Sequence, residues 1–348
     1  VSNFPSDVLI AGAGLGGACA ALWLSETCHV TLVTGTAPVA STIAAGLINP
    51  FAGRRLNGVK DPDRLLTDLK ETLQNADALD TYDPSGILRP ALDKDQAADF
   101  RSHASRDHSG IQWLSPCQVK VEHPHIMAPY GAALTAGGIL DTPTLLNSIT
   151  HQLSDCSEVI QQNIVGWQDG GTYVNVTLDS GTTLKTQKLI LALGAGYRSF
   201  RELIHLNLHC INGELVYIQP PDGMSLSMAV SGSGYVVPRN DHLILGTTYE
   251  HSQLPSQPTY EGMNKILTLT SKMIPQIESC AITGASAGVR VGVPGLRLPM
   301  VGPISDSVWI LTGLGSKGLL FASHIGRNIR QWMTDPSCIP ENFRVTNK

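Results

Sequence analysis

Apolar and polar positions along the chain alternate between two periods. Residues 7–11 form a short, nearly uninterrupted apolar run of strand length, residues 15–26 hold apolar residues at helical density, and "HVTLVT" (29–34) returns to a strand pattern. The opening is thus a βαβ unit. Over 61–79 the pattern places Leu65, Leu66, Leu69, Leu73 and Ala76 on one face, which predicts an amphipathic helix with Asp63 as its N-cap. "GGILDTPTLLNSITHQL" predicts another, capped by Asp141 with Pro143 in the first turn. Strand-like runs follow at 158–169, 172–181 and 188–196, and the stretch 206–256 reads as a sheet with hairpin turns. A helix is predicted over 259–274, and the chain closes with a strand, a glycine turn and a long helix (307–333). Two strand-turn-helix units at opposite ends, with an antiparallel-looking region between them, imply a nucleotide-binding domain built from separated segments. A second domain is inserted into it.

Composition narrows the class. With 348 residues, 42% hydrophobic and 15% charged, the chain is long enough for about two packed domains. A formal net charge of −5 argues against a large nucleic-acid surface, and Arg54, Arg55, Lys60 and Arg64 read as a solvated loop. Seven scattered cysteines without a C-x-x-C suggest reduced thiols in a cytoplasmic protein. The uncharged run 8–24 resembles a signal-peptide core, but Asp7 stands where a basic segment belongs. No other stretch reaches the roughly 18 apolar residues of a membrane span, so none is expected.

The chemistry begins at "GAGLGG". Gly12, Gly14 and Gly17 supply the G-x-G-x-x-G spacing, with Leu15 and Gly16 inside it and Ala21 and Leu24 continuing the helix pattern. The first glycine permits a tight turn and the second a close backbone approach to a pyrophosphate. The third allows helix and strand to touch, with the phosphates at the positive helix end. The second strand of such a unit ends on an acid that grips a ribose; here it ends on Thr34, whose hydroxyl makes a weaker bond without charge assistance.

Two other patterns carry no chemistry. "GASAG" (284–288) has the spacing of a hydrolase nucleophile elbow, but strand-like residues follow where a helix is required. His123 with His125, and His205 with His209, lack the further ligands that zinc needs, and no metal site is expected.

Six further stretches occur in order: "ASTIAAGLINPFAGRR" (40–55), "GGILDTP" (137–143), "LILALGAGYRS" (189–199), "GYVVPRNDHLILGTTYE" (234–250), "AGVRVGVPGLRLPMVGP" (287–303) and "WILTGLGSKGLLFASHIG" (309–326). Together they resemble the D-amino-acid oxidase superfamily of FAD-dependent oxidoreductases, especially its glycine oxidase and sarcosine oxidase branch. The last two are similar to the FAD domain of bifunctional enzymes that modify the tRNA wobble uridine. A methyltransferase domain precedes that FAD domain, and with none ahead of Val1 a small amine is expected before an RNA substrate.

The resemblance implies an α/β fold: a Rossmann-like FAD-binding domain of the glutathione-reductase type (1–85, 135–205 and 285–348) with an inserted antiparallel-sheet α+β substrate domain (86–134 and 206–284). It implies FAD without a covalent tether, since the final turn holds no cysteine. Carried over residue by residue, the pyrophosphate contacts fall on Gly12, Gly14, Gly17, Ser41 and Thr42. Ala45, Gly46 and Leu47 fall near the flavin, Val165 at the adenine, and Leu193 and Gly194 beside the cofactor. The closing turn, Gly313, Leu314, Gly315, Ser316, Lys317, Gly318 and Leu319, precedes a helix whose positive end would face the flavin pyrimidine carbonyl. Lys317 would add charge there.

For the substrate, Arg290 matches a carboxylate-binding arginine and Tyr235 a tyrosine that helps hold the same group. Arg297 is a rival for Arg290. The implied reaction is removal of hydride from the carbon beside an amine to flavin N5, followed by imine hydrolysis, so no nucleophile triad is required. Three readings follow: an oxidoreductase of a small amino acid or N-substituted glycine, an RNA-modifying oxidoreductase acting on a carboxymethylaminomethyl-uridine-type group, and a non-catalytic nucleotide-binding protein. Oxygen or another electron acceptor, and any oligomeric state, fit equally.

Overall fold

The computed structural model describes residues 6–37, 39–106, 110–250 and 257–345. Its first sheet is centred on Ser6–Ala11, flanked in parallel by Val30–Val33 and Thr183–Leu191. Glu158–Ile160 extends it in parallel beyond Val30–Val33, and Val308–Thr312 pairs in parallel with the end of Thr183–Leu191. The register sets Ala11 opposite both Val33 and Leu191. The parallel strands therefore end together, and the turns after four of them (12–17, 34–35, 192–194 and 313–318) lie at one edge. Open α/β sheets bind ligands at that edge.

The opening helix, Leu15–Ser25, is buried along most of its length, because it lies between the sheet and the closing helix, Gly318–Thr334. The two helices approach so closely that a Cβ on Gly326 would stand 2.6 Å from the Cys19 carbonyl oxygen. Burial pushes the Cys19 thiol up to about 12, which leaves it a small apolar filler.

The amphipathic helix runs Pro62–Asn75 and differs from expectation at its start. Asp61, not Asp63, is the cap, accepting a hydrogen bond from the Arg64 N–H at 3.2 Å. Pro62 has no N–H and suits the first turn, so the start moves upstream and Asp63 falls inside that turn. Asp141 caps Thr142–Cys156 as expected. The run 158–169 divides into Glu158–Ile160 and Ile164–Asp169, which pairs antiparallel with Val174–Leu178. Asn163 sits in the break, donating from its amide to Thr36 Oγ1 and to Asp179.

A second eight-stranded sheet holds, in spatial order, Ile282–Gly292, His209–Ile218, His242–Gly246, Tyr235–Arg239, Ala229–Ser231, Ile87–Pro90, Ala132–Thr135 and Ile111–Leu114. It is antiparallel except between Ala229–Ser231 and Ile87–Pro90. Val216, Ile218, Val236 and Leu245 pack on one face against Ile266 of the helix Tyr260–Ser271. Leu215, Val237 and Ile244 on the other meet Ala45 and Ile139, so that face looks toward the first sheet's ligand edge. A small third sheet joins Leu47–Ile48, Gly138–Leu140 and Tyr82–Asp83. The strand Ile282–Gly292 spans the whole of "GASAG", which excludes the elbow turn.

The amphipathic and closing helices are tied by one buried carboxylate. Asp68 is inaccessible to solvent and accepts from Arg64, from Arg327 at 3.1 Å and from His324 Nδ1 at 2.6 Å; Arg327 also pairs with Glu71. A buried charge that loses its partner is costly, and here three groups converge on one. Asp68→Ala is expected to lower unfolding stability by about 3–5 kcal/mol, read by denaturant melting. Glu71→Ala, at the half-exposed rim, should cost about 1 kcal/mol or less.

Candidate cofactor and substrate site

The glycine turn is shaped by contact. Gly12 has φ +109°, and a Cβ there would lie 2.3 Å from the Ala192 carbonyl oxygen. A Cβ on Gly17 would lie 1.8 Å from the Gly12 carbonyl oxygen, and one on Gly16 would lie 2.5 Å from Leu311 Cδ2. Only glycine lets strand, helix and neighbouring strand meet here. Gly14 is the N-cap of the opening helix, with no side-chain cap and no acid in the first turn. The Leu15 N–H donates to Ser41 Oγ at 3.1 Å, bringing the expected phosphate residue Ser41 to the turn. Thr42 is turned differently: its hydroxyl donates to the Val39 carbonyl at 2.8 Å.

Thr34 stands at the end of its strand as expected, but its hydroxyl donates to the carbonyls of Gly35 (3.2 Å) and Ile160 (3.5 Å). It is left as an acceptor toward any ligand. Val165 is exposed on Ile164–Asp169, beside a register shift. Leu193 caps a 3-10 turn that begins at Gly194, where φ is +52° and the Cβ direction is open. Ala45 is buried, Gly46 has φ +81°, and Leu47 pairs with Ile139.

The closing turn is also a cradle. A Cβ on Gly313 (φ +72°) would lie 2.7 Å from Val293, and Leu314 bridges to Gly292, joining the turn to the strand that bears Arg290. The helix Gly318–Thr334 starts with neither a side-chain cap nor an acid in its first turn. Ser316 is exposed; Lys317 is half-buried, and burial first, then nearby Arg297, holds its ammonium below the usual lysine range. Thr312 Oγ1, at the head of this turn, is buried and has no hydrogen-bond partner among the described residues. Helix N-termini with no acid in their first turns, glycines that admit backbone approach and an orphaned hydroxyl suit an extended dinucleotide carrying phosphates and a polar ring.

Arg290 and Tyr235 come from strands at different places in the second sheet and converge over its glycines. Arg290 Nη2 donates to the Thr248 carbonyl at 3.1 Å, and the guanidinium lies over the Tyr249 ring, 4.7 Å from its centroid. A Cβ on Gly213 would stand 2.3 Å from Arg290 Nη2, so the arginine occupies the space of that missing side chain. Tyr235 likewise lies over Gly246, where a Cβ would fall 2.4 Å from its hydroxyl. Burial pushes its phenol up to about 12, partly opposed by Arg290, with Thr247 hydrogen-bonded to it. Among the described residues no carboxylate pairs with Arg290. Arg297 is exposed, with φ +51°, and lies toward Lys317 rather than with Tyr235. Gly213, Thr247, Thr248 and Tyr249 were not singled out from the sequence; only the strand register reveals them. Among the described residues there is no group of metal-binding side chains, and no helix is long and apolar enough to cross a membrane.

Residues 7–332 match the DAO family, FAD dependent oxidoreductase. The chain belongs to that family. FAD is the cofactor of this family, whose members are oxidoreductases. It is 26% identical to a glycine oxidase of Pseudomonas aeruginosa over 57% of each chain. It is 27% identical to the tRNA 5-methylaminomethyl-2-thiouridine biosynthesis bifunctional protein MnmC of Polaromonas naphthalenivorans, over 92% of this chain and 55% of that one. The chain thus spans little more than half the length of these relatives. Its fold is similar to that of glycine oxidase from Geobacillus kaustophilus, with a TM-score of 0.85 at 20% identity, covering 99% of each chain.

The close approach at Gly17 gives a direct test. Gly17→Ala drives a methyl group into the Gly12 carbonyl, an overpacking that costs about 1–3 kcal/mol and opens the turn. The purified variant is expected to carry little flavin, read from its visible absorbance per chain.

Proposed function

We propose that the enzyme oxidises the C–N bond of a small amino acid or N-substituted glycine. The observation that carries this reading is Arg290: a half-buried guanidinium with no carboxylate partner among the described residues, braced by the Thr248 carbonyl and Tyr249 ring beside Tyr235. A planar fork held this way pairs both oxygens of a substrate carboxylate. Tyr235, protonated throughout the working pH range, donates its hydroxyl to the same group. Bound FAD supplies a hydride acceptor at N5, and water hydrolyses the resulting imine. The protein's part is to fix the C–H bond in line with the acceptor and to exclude other geometries.

We assign the pyrophosphate to Gly12, Gly14, Leu15, Gly16, Gly17 and Ser41, with Thr42 shaping the adjoining turn. Thr34 and Val165 border the adenosine, Leu193 and Gly194 flank the cofactor, and Ala45, Gly46 and Leu47 lie near the flavin. The amides of the turn Gly313–Leu319, with the charge of Lys317, would hold the flavin ring and stabilise negative charge developing on it. On this assignment the chain divides into a cofactor part (1–85, 135–205, 285–348) and a substrate part (86–134, 206–284), with the Ile282–Gly292 strand passing between them.

The match to MnmC over 92% of the chain favours a second reading, in which the N-substituted glycine is borne on a tRNA uridine. The two separate on substrate. The small-amine reading requires anaerobic flavin bleaching by glycine or N-methylglycine, whereas bleaching by modified tRNA alone supports the second.

Arg290→Ala is expected to raise KM for a carboxylated substrate about 100-fold with FAD content unchanged; an unaltered KM removes Arg290 from the site. Gly213→Ala, where the backbone has ordinary φ, should raise KM about tenfold by displacing the guanidinium. The Tyr235 phenol, raised from about 10 to about 12 by burial, favours the folded protein below pH 10. That stability is lost as pH rises from 10 through 12. Tyr235→Phe should therefore flatten the alkaline fall in stability, measured by thermal melting against pH.

A further inference from the structure

The Arg239 side chain, nearly buried at the end of Tyr235–Arg239, is committed to the segment expected beside the flavin. Its Nη2 donates to the carbonyls of Ala45 (3.2 Å) and Leu140 (3.0 Å), and its Nη1 pairs with Asp141 at 3.0 Å. The next carbonyl, that of Gly46, accepts from the Leu140 N–H at 2.8 Å. Two successive carbonyls, at 45 and 46, are thus fixed. Gly46 shows how tight the junction is: a Cβ there would lie 1.9 Å from the Leu140 oxygen and 2.7 Å from Arg239 Nη2, and φ is +81°. Asp141 is itself held as the cap of Thr142–Cys156, accepting from Thr144 Oγ1 at 3.0 Å. Tyr235 opens the same short strand that Arg239 closes.

We propose that Arg239 is a positioning residue that locks Ala45–Leu47 to the substrate sheet and so sets the distance and environment between flavin and substrate. The inference rests on the placement of Ala45–Leu47 at the flavin. A guanidinium serves three acceptors in fixed directions at once. A lysine ammonium in its place keeps the charge and loses the fork. Arg239 touches no reacting atom; its effect passes through the Ala45 and Leu140 carbonyls.

The test uses the FAD-loaded protein with Arg239→Ala, Arg239→Lys, Asp141→Asn and, as a probe of the segment itself, Leu47→Ala. Readouts are the visible absorbance and circular dichroism of bound flavin, its midpoint potential by dithionite titration, FAD affinity and melting temperature. Arg239→Ala is expected to shift the spectrum and potential and to weaken FAD binding about tenfold. Arg239→Lys should restore part of each, and Asp141→Asn should stay near wild type because both carbonyl contacts persist. If Arg239→Ala does not fold, Arg239→Lys carries the same test. A shift in Leu47→Ala with unchanged spectrum and potential in the Arg239 variants, whatever their melting temperature, overturns the proposal alone. Silence in Leu47→Ala as well overturns the placement of the segment and the proposal with it. No readout needs an amine, so failure of the amine-oxidation reading, seen as no bleaching by any amine, is distinct from failure here.

Discussion

The structure turns on the absence of two side chains. With no Cβ on Gly17 or Gly12, the opening helix rests on the first strand's carbonyl and that strand on the Ala192 carbonyl. This triple contact brings the helix N-terminus to the edge where the parallel strands end. The positive end of that helix is thereby fixed at the edge to which we assign a dinucleotide's phosphates. The closing turn needs glycine for its backbone, with positive φ at Gly313 and Gly315, and the Gly292–Leu314 bridge joins it to the strand of Arg290.

The second sheet solves the complementary problem, which is to hold a cation in place without neutralising it. Burial favours pairing an arginine with a carboxylate, but a paired guanidinium would not take up a substrate anion. Here Arg290 is braced by a carbonyl and an aromatic face, groups that orient it and leave its charge available. Room for it comes from Gly213, as room for Tyr235 comes from Gly246. Glycines thus shape both halves of the proposed site, by admitting backbone contact in one and the Arg290 and Tyr235 side chains in the other.

Much of this was legible in the sequence. The βαβ opening, the Asp141 cap and the closing strand-turn-helix follow from local periodicity and capping chemistry, and local rules decide them. The Asp61 start was missed because Asp63 fits the same rule and only the geometry around Pro62 separates them. The break at 161–163 was missed because Asn163 is fixed by Thr36 and Asp179, both distant in sequence. The same holds for Gly213, Thr248 and Tyr249, which become neighbours of Arg290 through the pairing of His209–Ile218 with Ile282–Gly292 on one side and with His242–Gly246 and Glu250 on the other. Thr34 was legible as a missing acid, but not as a hydroxyl already spent on two carbonyls.

The proposed amine oxidation requires a glycine-built FAD site facing a carboxylate-binding arginine. Anaerobic addition of glycine and N-methylglycine to the FAD-loaded protein, followed by visible absorbance, tests it most directly. The oxidised flavin band is expected to disappear with at least one of them and to return on adding an electron acceptor. A flavin that dithionite bleaches, but that neither compound reduces, would contradict it.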